Sequence, residues 1–388
     1  MPEVQRPLAL LITRNFPPLI GGMEKLNQHL LDALGLIYRT ALCGPEGCSA
    51  FVTAGVEVLQ CKINPLPIFL FMTLKNALLI GWRRKPSLVF AGSGLAAPIA
   101  WLVARCTGAR AAVYLHGLDI IVPNRLYQWF WLPFIRRCDI LIVNSANTAL
   151  LARLQGVDSR SLHILNPGTD IPAMDSNGMV ATQFRDRFGF GRRPLLISVG
   201  RLTQRKGLVE FVTGALPMVL ESHPDVMLVV IGEEAAHALR ARIGSERERV
   251  LQAARRVGVE HAIRFIGACD ESTLDAAYQA ATVHVFPVLE LPGDVEGFGM
   301  VALEAAARGL STVAFAVGGV PDAVQHGKTG RLCKSGDYQA FGQAVIEQIR
   351  CAREEAAINT CRQFAVSNAW PAFATRLKNI LDIERNGY

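Results

Sequence analysis

Short, almost unbroken apolar runs recur along the chain, separated by longer stretches whose apolar positions return every three or four residues. In the first half the runs are LALLIT (8–13), SLVFAG (87–92), AAVYLHG (111–117) and DILIVNS (139–145). Helical patterns lie among them at MEKLNQHLLDAL (23–34), LAAPIAWLVARC (95–106) and TALLARLQ (148–155). A continuous apolar run reads as a strand covered on both faces, and such strands alternating with amphipathic helices build βαβ units on a parallel sheet. The rhythm fails over residues 171–193, where Pro172, Asn177, Gly178, Gly189 and Gly191 punctuate what reads as a linker. It resumes with PLLISVG (194–200), VMLVVIG (226–232), IRFIG (263–267), VHVFP (283–287) and STVAFAV (311–317), again with helices between. The pattern predicts two doubly wound α/β domains around a cleft, with ligands at the carboxyl ends of the strands.

Residues 63–82, INPLPIFLFMTLKNALLIGW, are as long as a bilayer span, but Pro65, Pro67, Lys75 and Asn76 interrupt them. The segment reads instead as a helix apolar all round, either buried or lying at an interface, with Arg83, Arg84 and Lys85 directly after it.

Composition sharpens this picture. The chain has 388 residues, 51% of them hydrophobic, enough for two cores. The first 190 residues carry 18 Lys and Arg against 11 Asp and Glu, while the remainder carries 22 of each. All the excess positive charge therefore lies in the first half and points to an anionic partner there. Nucleic acid is disfavoured as that partner, because no recognition-helix pattern, aromatic RNA-binding motif or zinc module is present. The nine cysteines have no zinc spacing and read as reduced thiols of a cytosolic protein. Residues 1–7 run straight into the first strand-like segment, with no secretory leader pattern.

Candidate chemistry sits where strands end. In NFPPLIGG (15–22), Gly21 and Gly22 open a helix and admit a ligand close to backbone; a plain helix start is the alternative. In VGRLTQRKG (199–207), Arg201, Arg205 and Lys206 gather at a strand end next to a helix start. That arrangement suits a diphosphate, or else is a solvated basic loop. LELPGDVEGFG (289–299) is a long acidic, glycine-rich loop, and MVALEAAARG (300–309) is the helix behind it. Glu304 lies in the first turns of a helix with little polar surface, where it can accept both hydroxyls of a ribose; a surface pair with Arg308 is the alternative. Glu296 precedes the Gly297–Phe298–Gly299 turn, whose amides can hold phosphate or sugar oxygens. His116 in YLHGLD (114–119) ends a first-domain strand, as a site residue or as a structural one.

These pieces in this order resemble the retaining glycosyltransferases of family 4, with two Rossmann-like domains in the GT-B arrangement. GRLTQRKG and the pair Glu296…Glu304 within DVEGFGMVALEAAARG carry the likeness most specifically. FPPLIGGME, LHGLD, NPGTD (166–170) and GGVPDAV followed by GKTGRL (318–332) match in order. The resemblance implies an acceptor-binding domain over 1–170, a linker at 171–193, a nucleotide-sugar domain over 194–364, and a C-terminal helix at about 365–388 crossing back to the first domain. It implies that Arg201 and Lys206 bind the donor diphosphate and stabilise the charge left when the sugar departs. Glu304 would bind the ribose. Glu296, with backbone at Gly297, Phe298, Gly299, Met300 and Val301, would hold the transferred hexose and phosphate. His116 would touch the sugar near the reacting carbon, and Gly21 and Gly22 would give the diphosphate and acceptor room. Configuration would be retained, with no metal and no cofactor beyond the nucleotide sugar as co-substrate. One departure concerns Gly232-Glu233-Glu234, where the family commonly has a second glycine two residues on. Acids there put the shape of the base pocket in question.

On the acceptor side, residues 68–85 (IFLFMTLKNALLIGWRRK) and 125–137 (RLYQWFWLPFIRR) combine bulky apolar and basic residues, as a peripheral, anionic membrane surface requires. A glycan or lipid-linked acceptor at the inner face of a membrane is therefore expected. The competing readings are a sugar-nucleotide epimerase or phosphorylase on a similar fold, and a binding protein with a decayed site.

Overall fold

The structure is a computed structural model that describes residues 6–122, 124–173, 177–234, 245–352 and 354–386. It divides into two compact units, one running to Gly168 and taking up the chain again from Trp370, the other spanning Thr169–Ala369.

The first unit is built on a seven-stranded sheet. Its strands are β1 (Leu8–Ile12), β2 (Arg39–Pro45), β3 (Glu57–Cys61), β4 (Leu88–Ala91), β5 (Arg110–Leu115), β6 (Ile140–Val143) and β7 (Leu162–Ile164). Their order is β3-β2-β1-β4-β5-β6-β7, and every pairing is parallel. The central strands β1, β4 and β6 are buried at every position, which is why they read as continuous apolar runs. β2, β3 and β7 have no such signature in the sequence. β3 is an edge strand, EVLQC, with only Cys61 buried, and β7 is three residues long.

The second unit repeats the plan with β8 (Leu195–Val199), β9 (Met227–Ile231), β10 (Ile263–Gly267), β11 (Val283–Phe286), β12 (Thr312–Phe315) and β13 (Gly330–Cys333), ordered β10-β9-β8-β11-β12-β13. The order reverses between β8 and β11, so the crevice where such sheets bind ligands lies beyond those two carboxyl ends. One core joins Phe211, Phe315 and Phe341 on one side of the sheet; a second gathers Ile197, Ile231 and Tyr278 on the other.

The expected linker at 171–193 is corrected by a helix, Met179–Phe188, that belongs to this second core. Phe184 lies 4.9 Å from the Phe188 ring and 6.0 Å from that of Phe190, and both Phe184 and Phe190 are buried. The glycines that suggested a linker are its ends. Gly178 and Gly189 flank the helix in left-handed conformation at φ 64° and 70°. At the other end of the chain, the helix Trp370–Asn386 belongs to the first unit, where the Trp370 ring stacks on His29 at 3.9 Å.

The long apolar segment forms the helix Leu66–Arg84, among the described residues the one helix long and apolar enough to cross a membrane. Phe69, Thr73, Ala77, Ile80 and Gly81 face the unit's interior. Ile68, Phe71, Met72, Leu79 and Trp82 form an exposed stripe at i, i+3, i+4 spacing, with Lys75 in its middle. The helix thus has one buried face and one exposed apolar face.

Candidate active site

The loop after β8 and the loop after β11 meet at the switch point of the second sheet. The Leu289 amide donates to the Arg205 carbonyl at 2.8 Å, tying the two loops together. Gly207, at φ 68°, closes the first loop and starts the helix Leu208–Gly214. A Cβ at Gly207 would lie 1.9 Å from the Pro287 carbonyl oxygen, so only glycine lets the loops come this close.

Between the loops lies a compact charge cluster. Lys206 Nζ donates to Glu296 Oε2 at 3.0 Å, and Arg205 Nη1 pairs with the same oxygen. Arg205 also donates through Nε to Asp294 Oδ1 at 3.1 Å. The Arg205, Lys206 and Glu296 side chains are only 14–16% exposed. Burial alone would push the Glu296 carboxyl up; the Arg205 and Lys206 charges overrule it and hold it at about 2. Burial pushes the Lys206 ammonium down, with Arg205 and Arg201 adding to that and Glu296 opposing it. Lys206 Nζ stands 4.7 Å from the centre of the Phe286 ring, a cation–π contact. Arg201 is exposed and has no hydrogen bond or ion pair to another described residue. Both cations hold Oε2 of Glu296, which leaves Oε1 to accept from a ligand hydroxyl. Two acids balance Arg205 and Lys206, so Arg201 supplies the uncompensated charge for an anion.

Behind the cluster the helix Met300–Ala307 begins at Gly299, and no side chain caps it. Its first amides are available to an anion, which the helix dipole favours. The Phe298 side chain is buried in the core, leaving only its backbone for a ligand. The loop carrying Glu296 is supported from behind by GGVPDAV. The Gly319 amide donates to the Glu296 carbonyl at 2.8 Å, and a Cβ at Gly319 would lie 2.0 Å from the Gly297 carbonyl oxygen.

Glu304 is half-buried on this helix, and Tyr278 Oη donates to its Oε2 at 3.4 Å. The alternative of a surface pair with Arg308 does not hold. Arg308 donates to the Glu304 backbone carbonyl at 3.1 Å and sends Nε to Asp275 at 2.9 Å. That leaves Oε1 of the carboxylate with no hydrogen bond to another described residue, and Oε2 with Tyr278 alone. Beneath the site lies His284 on β11, fully buried, its Nδ1 3.0 Å from Thr312 Oγ1. Burial and then the Lys206 charge hold its imidazole down at about 3, so it is neutral. Tyr278, Asp294 and His284 had no signal in the sequence beyond being polar residues within apolar or acidic stretches.

The Glu234 carboxylate is taken up by the protein itself. Its carboxylate accepts from Ser245 Oγ at 2.6 Å and from the amides of Arg247 at 2.9 Å and Glu246 at 3.2 Å, capping the helix Glu246–Arg256. Burial pushes its pKa up, but these bonds and the Arg249 charge together outweigh it and hold the carboxyl below its ordinary value.

In the first unit, Gly21 is the N-cap of the helix Gly22–Gly35, and both glycines are exposed. Glu24 in the first turn accepts from Asn15 Nδ2 at 2.8 Å. His116 follows β5; its Nε2 lies 3.0 Å from the Gly92 carbonyl, which fixes the proton on Nε2, and its amide donates to Asp119 Oδ2 at 3.0 Å. These bonds fix the ring in place and leave Nδ1 as an acceptor.

Residues 180–363, all within the second unit, match the family described as glycosyl transferases group 1. A glycogen synthase of Mycobacterium tuberculosis is 32% identical over 385 residues, spanning 87% of this chain and 84% of its own. The chain belongs to the group 1 glycosyl transferases. A GDP-mannose-dependent alpha-(1-6)-phosphatidylinositol monomannoside mannosyltransferase of Mycolicibacterium smegmatis is 28% identical over 400 residues, 97% of this chain and 98% of its own. HepE of Anabaena, solved in complex with UDP, shares the fold at a TM-score of 0.77 with 17% identity, over 96% of this chain and 99% of that one. The two parallel-sheet units are thus the Rossmann-like domains of a GT-B enzyme. In this group 1 glycosyltransferase the matched region starts inside the helix Met179–Phe188, in keeping with that helix being part of the second domain rather than a tether.

Proposed function

We propose that this glycosyltransferase moves a hexose from a nucleotide-diphosphate sugar to an acceptor hydroxyl of a lipid-linked, cell-envelope glycan, with retention of configuration. The observation that carries the donor side is the cation cluster of Arg201, Arg205 and Lys206 at the β8–β11 switch point, next to an uncapped helix start and the half-buried carboxylate of Glu304, whose Oε1 is open. In this reading Arg201, Lys206 and the amides at Met300 and Val301 hold the diphosphate, and Glu304 takes the ribose diol. Glu296 uses one oxygen to hold Lys206 and the other to accept a hydroxyl of the sugar. As the bond from the anomeric carbon to the leaving phosphate oxygen breaks, the acceptor oxygen bonds to that carbon on the same face and its proton passes to the leaving phosphate. Arg201 and Lys206 stabilise the charge that develops there, the task a metal performs elsewhere. His116 is assigned a contact to the sugar, and Gly21 and Gly22 the approach of the diphosphate and acceptor. The phosphatidylinositol monomannoside for which the Mycolicibacterium smegmatis relative is named supports a glycolipid acceptor.

The test is a thermal-shift and hydrolysis screen of the purified protein against UDP-, GDP- and ADP-sugars. A donor that binds only the folded state raises the melting temperature by mass action. A protein that neither shifts with nor hydrolyses any of them does not have this activity. Glu304→Ala is expected to weaken donor binding by roughly tenfold, the loss of hydrogen bonds to one charged acceptor. Calorimetry with the best donor measures it, and unchanged affinity removes the ribose role.

The exposed stripe of the helix Leu66–Arg84 is proposed as the surface that lies on the cytoplasmic face of the membrane. Arg84 is tied to Glu57 at 3.1 Å, which leaves Arg83 and Lys85 for lipid headgroups. Arg83→Glu with Lys85→Glu should reduce binding to anionic vesicles at least about tenfold, since each basic residue at such a surface is worth about 1 kcal/mol. Donor hydrolysis should not change; vesicle binding equal to that of the parent protein would remove this surface.

A further inference from the structure

In the first unit, beyond β5, a groove of about 860 Å³ opens along the short helices Leu118–Ile121, Arg125–Phe130 and Leu132–Arg136. Its size falls within the roughly 300–1,000 Å³ of small-molecule sites. Ile121, Val122, Leu126, Trp129 and Leu132 line it, and among the described residues no acidic one does. The polar side chains in its wall are largely engaged by backbone. Asn124 accepts from the amides of Leu126 and Tyr127, and Gln128 Nε2 donates to the carbonyls of Ile120 and Val122 at 3.1 and 3.0 Å. That leaves an apolar wall bordered by two guanidinium groups, Arg125 and Arg136, both exposed and neither bonded to another described residue.

The two neighbouring tryptophans divide the work. Trp131 is held inward, its indole N–H donating to the Leu95 carbonyl at 3.0 Å and its ring stacking on Tyr127. Trp129 is 76% exposed and Leu126 67%, both on the groove. An exposed aromatic and aliphatic wall between unpaired arginines costs free energy in water, and one ligand chemistry satisfies both parts: an apolar chain carrying a phosphate.

We propose that this groove binds one acyl chain and the phosphate of an anionic glycerophospholipid, the chain along Leu126, Trp129 and Leu132 and the phosphate between Arg125 and Arg136. The proposal deepens the lipid-acceptor reading above and rests on it. It differs from the membrane surface of the helix Leu66–Arg84 in taking a single lipid molecule, so a monomeric lipid tests it without any bilayer.

The experiment titrates the full-length protein with dihexanoyl phosphatidylglycerol below its micelle concentration, followed by tryptophan emission and calorimetry. Saturable binding of one molecule per chain is expected. Dihexanoyl phosphatidylcholine and inorganic phosphate should each bind at least about tenfold more weakly, the one lacking net charge and the other the chains. Arg125→Ala with Arg136→Ala should lose at least about tenfold in affinity. The emission change should disappear in Trp129→Phe while the calorimetric signal stays. All three positions are exposed, and circular dichroism checks that each variant is folded. Absence of saturable binding, equal binding of either control compound, or full affinity in the double arginine variant overturns the proposal. Donor hydrolysis is assayed on the same samples: its absence alongside intact lipid binding would overturn the transferase reading of the second unit and leave the groove standing, and the converse would overturn the groove alone.

Discussion

Lys206→Ala should lower turnover by about 10²–10³-fold, the usual cost of removing one charged or hydrogen-bonding group that stabilises developing negative charge. The ammonium is only 15% exposed and is aimed by Glu296 at 3.0 Å and by the Phe286 ring, so it is preorganised rather than recruited. The fold should survive, because Glu296 keeps Arg205 as a partner and is not left as a lone buried charge. Single-turnover rates with the donor identified by the screen measure the effect. Turnover like that of the parent protein would remove Lys206 from the leaving-group site. Lys206→Arg should recover only part of the rate, since a broad planar guanidinium cannot occupy the position of a compact ammonium point charge.

Glu296→Ala should have the larger effect on stability, a loss of about 3–5 kcal/mol, as when one member of a buried ion pair is removed. Arg205 would retain Asp294, but Lys206 would have no anionic partner against the burial and the arginine charges that already push it down. Chemical denaturation at neutral pH reads the loss, and a variant as stable as the parent would show that the cluster is not held by this carboxylate. The same group predicts a pH dependence. Its folded pKa of about 2 lies below the ordinary 4.5, so its contribution is fully present above pH 4.5 and is lost as pH falls towards 2. The full contribution is of the order of 3 kcal/mol by linkage, and Glu296→Gln should flatten the slope in that window.

The parts of this protein that were readable in advance are those where local chemistry and fold agree. β1, β4, β8 and β11 are buried on both faces and so read as largely apolar runs; GRLTQRKG and the Glu296 loop follow two of them. β3 and β13 were missed because edge strands need few apolar residues, and the helix Met179–Phe188 was missed because its caps are glycines and most of its face is polar. Within the site, the sequence shows that cations and acids lie near each other along the chain but not which pairs form. That Arg205 takes both Asp294 and Glu296, and that Arg308 turns to Asp275 and releases Glu304, depends on side chains 33 to 91 positions apart. The role of GGVPDAV was likewise invisible, because Gly318 and Gly319 matter for what lies against them and not for what they carry.

Phe184 and Phe190 also set where this enzyme can be cut. They plug one side of the second sheet, over Leu195, Ile197 and Tyr278. A fragment beginning at Pro194 would present that apolar face to water and precipitate, whereas one running from Thr169 to Ala369 keeps its plug and is the piece to express for crystallising the second unit alone.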